Sequence, residues 1–170
     1  MRIDPAGPEA AETMAAIHAQ AFARAWGPSE IAQMLASPGV LGFLCHREGP
    51  AGLLILRLAA GEAEILTIGV APGARRRGLG RELMITAVGA ARGLGAEAVF
   101  LEVDDGNAAA IGLYGALGFG AVGLRRGYYD RGAAGRSDAR VMRLDLTPLT
   151  RYSLADQAGS VCLGGRGSTL

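Results

Sequence analysis

The feature that most limits how this chain can fold is a strand-like segment that runs through a glycine- and arginine-rich bend into a helix-like one. Glu62 to Val70 alternates as a β-strand does, with Glu64, Leu66, Ile68 and Val70 on one face and Ile65 and Thr67 on the other. Then come Ala71-Pro72-Gly73-Ala74-Arg75-Arg76-Arg77-Gly78-Leu79-Gly80-Arg81, and from Gly78 to Leu94 the apolar residues fall at helical spacing until Gly95 stops them. A strand feeding a helix through a short bend predicts a mixed α/β domain built in layers.

The flanking segments fit that class. Arg2 to Asp4 reads as a short strand, and Pro8 to Phe22 as a helix with Met14, Ile17, Ala21 and Phe22 on its apolar side. Ser29 can cap a second helix that Pro38-Gly39 ends, and Val40–His46 and Leu53–Ala59 read as two strands. Ala98 to Val103 is a further strand, and Asn107 to Leu117 a helix with Ala110, Leu113, Tyr114 and Leu117 inside. Phe119–Leu124 and Arg140–Leu146 can close the sheet. Residues 1–148 then form one domain, and 149–170, which lose periodicity, a flexible tail.

Composition removes several function classes. Half of the 170 residues are apolar and 19% are charged, which excludes global disorder. A formal net charge of +1 argues against a nucleic-acid partner or an electrostatic hold on a membrane. Ala108 to Leu124 carries no charge, but Gly118 breaks it into two short elements, so it does not read as a span. Met1-Arg2-Ile3-Asp4-Pro5 lacks the apolar core of a secretory signal, so a cytoplasmic setting with Cys45 and Cys162 as reduced thiols is expected. His18 and His46 match no motif and read as structural or exposed; no His/Cys/Asp spacing suggests a metal.

The bend from Arg75 to Gly80 has the chemistry of an anion cradle. Its glycines let the backbone approach a ligand, and the amides of a starting helix and the flanking guanidiniums favour phosphate. It lacks the Lys-Ser/Thr ending of a nucleoside-triphosphate loop, and Leu83 stands where a dinucleotide fingerprint needs a small residue. Taken alone, the bend is equally well read as a solvated arginine turn.

Arg75-x-x-Gly78-x-Gly80 after an apolar strand resembles the acyl-CoA pyrophosphate loop of the Gcn5-related N-acetyltransferases (GNAT). Leu101-Glu102-Val103, Asn107-Ala108-Ala109-Ala110-Ile111-x-Leu113-Tyr114 and Leu117-Gly118-Phe119 are similar to the second half of that fold. Arg125-Arg126-Gly127-Tyr128-Tyr129 with Asp138-Ala139-x-x-Met142, and Ala25-Trp26 with Ser29-Glu30, resemble the bacterial branch that acetylates the N-terminal alanine of a ribosomal protein. The resemblance covers residues 1–146 and implies a mixed, mostly antiparallel sheet flanked by helices, its central strands splayed at the cofactor cleft.

It also implies an activity and a site. Acetyl-CoA would be the co-substrate and a protein N-terminus the acceptor, in direct transfer without a cysteine acyl-enzyme. Backbone amides of Arg76, Arg77, Gly78, Leu79, Gly80 and Arg81 would hold the pyrophosphate. Ile68, Gly69 and Val70 would pair with the pantetheine arm like an added strand, and Asn107, otherwise a helix cap, would hydrogen-bond it. Glu102 would be the general base, with Glu64 in reserve, and Tyr114 the general acid toward the departing thiolate. Trp26, Tyr128 and Tyr129 would wall the peptide site. An α-amine, with a pKa of about 8 against about 10.4 for lysine, is the easier acceptor for a carboxylate base. The rival readings are the same fold acting on a lysine or small amine, and a non-catalytic acyl-CoA-binding module. Oligomeric state is left open, a monomer being compatible with the composition.

Overall fold

The computed structural model describes residues 1–130 and 135–146, without the side chains of Tyr129 and Asp130. The expected tail from 149 to 170, with Cys162, lies outside the described residues.

Among the described residues, seven strands form one sheet: β1 Arg2–Ala6, β2 Val40–His46, β3 Pro50–Ala59, β4 Glu62–Val70, β5 Ala98–Asp104, β6 Gly120–Asp130 and β7 Arg136–Asp145. Their order is β1-β2-β3-β4-β5-β7-β6, antiparallel except where β4 meets β5. Helices α1 (Ala11–Ala21) and α2 (Pro28–Leu35) cover one face, and α3 (Leu79–Gly93) and α4 (Ala108–Ala116) the other. This is the mixed, helix-flanked sheet the motifs imply.

The apolar run Leu53-Leu54-Ile55-Leu56 shows why both faces must be covered. All four side chains are fully buried. Leu53 and Ile55 join Met14, Ile17 and Ile31 on the α1–α2 side, while Leu54 and Leu56 join Leu83, Met84 and Ala87 on the α3–α4 side. A central strand with helices on both sides needs no polar alternation. In α3, Leu79, Leu83, Ala87 and Ala91 repeat every four residues and are all buried.

Several boundaries differ from the sequence reading. The first helix opens as a 3₁₀ turn, Pro8–Ala10. Strands β6 and β7 extend well beyond Leu124 and before Arg140, because backbone pairing resumes at Tyr129–Ser137 and Asp130–Arg136 after an irregularity between Arg125 and Tyr129, in a stretch with no apolar alternation. The face assignment of β4 also needs correcting. Between its pairings with Ile55 and Leu56, the register slips at Leu66, a β-bulge. Ile65 packs with the α3–α4 core, whereas Leu66 packs with the other core and Thr67 meets His18 of α1; Ile68 and Val70 then return to the α3 side. Glu64, Leu66, Ile68 and Val70 therefore do not share one face.

Gly42 marks a close approach of β1, β2 and α2. A Cβ there would stand 2.5 Å from the Ala6 carbonyl oxygen and 2.6 Å from Leu35 Cδ2. Backbone cannot yield as a side chain can, so Gly42→Ala is expected to lower stability by about 1–3 kcal/mol. The urea midpoint measures this; an unchanged midpoint would show that β1 is not packed as described.

Candidate active site

The bulge at Leu66 is where the sheet opens. Parallel pairing of β4 with β5 runs only from Glu62–Ala98 to Ile65–Leu101. Bulges bend a strand and raise its twist, and beyond this one the two strands diverge. Ile68, Gly69 and Val70 remain paired to β3 on one side, and Glu102 to Asp104 remain paired to β7 on the other. Between them lies a cleft of about 720 Å³, lined by both strand edges, by Asn107 at the start of α4 with Ala110 and Tyr114 within it, and by residues 21–24 at the end of α1 and just beyond. The inner edge of Ile68–Val70 thus offers backbone donors and acceptors to an extended ligand.

At the end of β4 the bend takes the form its glycines permit. Gly78 has φ +82° and Arg76 φ +60°, both left-handed, so the chain turns sharply into the helix here. The first full helical bond of α3 runs from the Glu82 amide to the Gly78 carbonyl, 3.1 Å. The amides of Leu79, Gly80 and Arg81 precede it and so have no carbonyl one turn back, which leaves an anion-ready helix start. Arg75 does something else: its Nε donates to the Val70 carbonyl at 3.0 Å and ties the bend to the strand.

Glu102 and Tyr114 reach the cleft from opposite sides of the sheet. Val99, Leu101 and Val103 of β5 pack under α3 and α4, so Glu102, between them, points to the other face. Tyr114 comes from the α3–α4 side, 6% exposed, with its ring 6.1 Å from Phe119. Asn107 caps α4, its Oδ1 accepting from the Ala110 amide at 3.1 Å, and this cap does not use its Nδ2. The cap reading is therefore seen directly, and the amide also borders the cleft.

Some expected site residues stand elsewhere. Glu64 pairs with Arg57 at 2.7 Å and lines a separate recess of about 320 Å³, on whose border Glu102 also lies. Trp26 is not among the residues that line the cleft; it is half-buried and stacked on His18. Tyr128 does line it, while the Tyr129 side chain lies outside the described residues. Cys45 is fully buried in β2, away from the cleft, and burial pushes its thiol pKa up. Among the described residues no group of three or more His, Cys, Asp or Glu is placed to hold a metal ion, and no helix is long and apolar enough to cross a membrane.

The structure adds two residues. Arg125 donates from Nη1 to Glu102 Oε1 at 2.5 Å, with its guanidinium 4.3 Å from the Tyr128 ring centroid. His18 is 3% exposed, accepts from the Trp26 amide at Nδ1 (3.2 Å), and shares a hydrogen bond with Thr67 Oγ1 at Nε2 (3.3 Å). Its ring stacks on both Phe22 and Trp26. The aromatic spacing His18, Phe22, Trp26, four residues apart each time, was the available sequence signal.

Burial holds the His18 imidazole below its ordinary pKa of 6.5, opposed in part by the Glu30 carboxylate. The folded state therefore favours the neutral ring more than the unfolded chain does. The resulting stability is fully present above about pH 6.5 and is lost as pH falls from there through the lowered folded value. Urea midpoints should drop between about pH 7.5 and about pH 5, and His18→Asn should flatten that part of the dependence. An identical slope in the variant would assign it to other groups.

The comparisons agree with this geometry. Residues 11–119 match the model of the acetyltransferase (GNAT) family. The chain is 39% identical to the N-alpha-acetyltransferase RimI of Mycobacterium tuberculosis, covering 79% of this chain and 86% of that one. It is also 39% identical to the [ribosomal protein bS18]-alanine N-acetyltransferase of Salmonella typhimurium, over 57% of this chain and 65% of that protein, just under two thirds of the latter's length. The crystal structure of the ribosomal-protein-S18-alanine N-acetyltransferase from Escherichia coli superimposes with a TM-score of 0.79 at 30% identity, covering 89% of this chain and 98% of that one. The sheet opened by a bulge, the glycine bend at its mouth and these matches together place the chain in the GNAT acetyltransferase family.

Proposed function

We propose that this protein transfers an acetyl group from acetyl-CoA to the N-terminal α-amine of a protein, a ribosomal protein beginning with alanine, in a ternary complex and in the cytoplasm. The observation that carries the proposal is the slot between β4 and β5, with an acid on one side and a phenol on the other. The bend at Arg76–Arg81 fits a diphosphate through its orphan amides, and the unpaired edge of Ile68–Val70 fits an amide-bearing arm. Bound acetyl-CoA supplies a thioester carbonyl at the slot.

Each of the chain's own residues then has a task. An α-amine attacks only when neutral, and Glu102 accepts its proton, directly or through one water. Arg125 holds that carboxylate in place until an ammonium shares it. The Tyr114 hydroxyl gives a proton to the departing sulfur. Tyr128 and residues 21–24 border the acceptor's path. The relatives named for alanine N-acetylation support this acceptor class over a lysine.

Two peptides test the reading, one with a free N-terminal alanine and one blocked but carrying an internal lysine. Thiol release from acetyl-CoA is expected with the first only. Release with only the second would move the acceptor to a side-chain amine, and acetyl-CoA binding without release for either would leave a binding module.

A further inference from the structure

We infer that His18 is a positioning residue: one buried imidazole clamps the cleft-lining segment after α1 to the β4 bulge and thereby sets affinity for the acceptor. The inference rests on the acetyl-transfer reading, which gives the cleft an acceptor to bind.

Residues 22–27 connect α1 to α2 without regular structure, yet residues 21–24 form part of the cleft wall. A segment without its own ladder needs outside anchors to hold a defined shape. At its far end Glu30 accepts from the Gly27 amide at 2.7 Å. Within it, three contacts converge on His18: stacking with Phe22 at 4.3 Å, stacking with Trp26 at 4.9 Å, and the Trp26 amide bonded to Nδ1. The opposite ring nitrogen meets Thr67, the residue after the bulged Leu66 that opens the sheet.

The hydrogen bonds fix the tautomer. Nδ1 accepts from a backbone N–H, so it carries no proton, and the proton of the neutral ring sits on Nε2 and is donated to Thr67 Oγ1. The groups facing this ring are Phe22 and Trp26 from the connection, Thr67 from β4, and the Glu30 carboxylate of α2 at longer range. One side chain thus couples α1, the acceptor-side wall and the point where the strands part. The anion bend and Tyr114 lie on other elements, across the sheet from His18.

The test separates positioning from mere packing. His18→Phe keeps a stacking ring but loses both hydrogen bonds, while His18→Asn keeps an acceptor where Nδ1 stands. With the alanine peptide, His18→Phe is expected to raise the acceptor KM about tenfold, the scale of two modest hydrogen bonds lost together, with kcat and the acetyl-CoA KM changed less than about twofold. His18→Asn should recover most of the acceptor KM.

Trp26 is the sole tryptophan, so its emission reads the clamp without substrates. Acrylamide quenching of Trp26 should increase in His18→Phe and much less in His18→Asn. Unchanged quenching overturns the clamp, as does a KM effect that falls on acetyl-CoA instead. If no peptide is acetylated at all, the acetyl-transfer reading fails while quenching still decides the clamp. Should His18→Phe not fold, Thr67→Val decides it: a raised acceptor KM and increased Trp26 quenching are expected, and equality with the native protein in both readouts overturns the clamp.

Discussion

Glu102→Gln is expected to lower kcat by about 10²- to 10⁴-fold, the range over which a positioned general base contributes, with the acetyl-CoA KM unchanged. The change is nearly isosteric, and the amide oxygen can still accept from Arg125. Glu102 is 23% exposed and Arg125 55% exposed, so solvent screens this ion pair and its loss should alter stability little. The Arg76–Arg81 bend and the Ile68–Val70 edge, to which the proposed function gives the coenzyme, belong to β4, α3 and the bend between them and not to β5. The rate loss therefore isolates proton acceptance. In the native protein, acceptor kcat/KM should climb with pH toward about 8, where an α-amine becomes neutral. Glu64→Gln is the matched control: that carboxylate is engaged by Arg57 and does not line the cleft, so activity should be kept. Coenzyme A release over the pH range measures both. Full activity of Glu102→Gln across that range would remove Glu102 as the base, and loss in Glu64→Gln would transfer the role.

What could be read from the sequence, and what could not, follows from the range of the interaction involved. The bend at Gly78 was legible because a left-handed φ of +82° is a local demand that glycine meets without strain. Tyr114 was legible as an inner position because helical spacing is local too. The β4 bulge was not. It arises from the pairing with β3, and one inserted residue reverses every later face. Arg125 was missed as the partner of Glu102 because 23 residues separate them, and only the insertion of β7 between β5 and β6 brings that side chain within reach. The stacking of Trp26 on His18 is not legible as a contact either, because it depends on how the connection after α1 folds back over eight residues. The long reach of β6 is not legible because Arg125 to Tyr129 carries no alternation: the register breaks between these two residues, the Gly127 amide donates to Asp138 Oδ1, and pairing resumes only at Tyr129.

Tyr114→Phe is expected to lower kcat by about 10²-fold, the lower end of general-acid effects, while the fold holds. The substitution removes one oxygen and leaves the ring, so the contact with Phe119 and the filled space under α4 persist. Loss of a hydroxyl's hydrogen bond accounts for about 1 kcal/mol of stability, a shift that a melting curve resolves from a failure to fold. Two accounts of this tyrosine then part company. If it serves only as core, Tyr114→Phe changes stability by no more than that and leaves the rate nearly untouched, since phenylalanine packs as well. If its hydroxyl delivers a proton to sulfur, the rate falls with little change in the KM of either substrate, because the interaction matters only as the carbon–sulfur bond breaks. The fall should shrink with an acyl donor whose leaving thiol is more acidic, since a less basic thiolate needs less help. A deficit that stays constant as the leaving group is varied would place the hydroxyl's role in ground-state binding and not in departure of the thiolate.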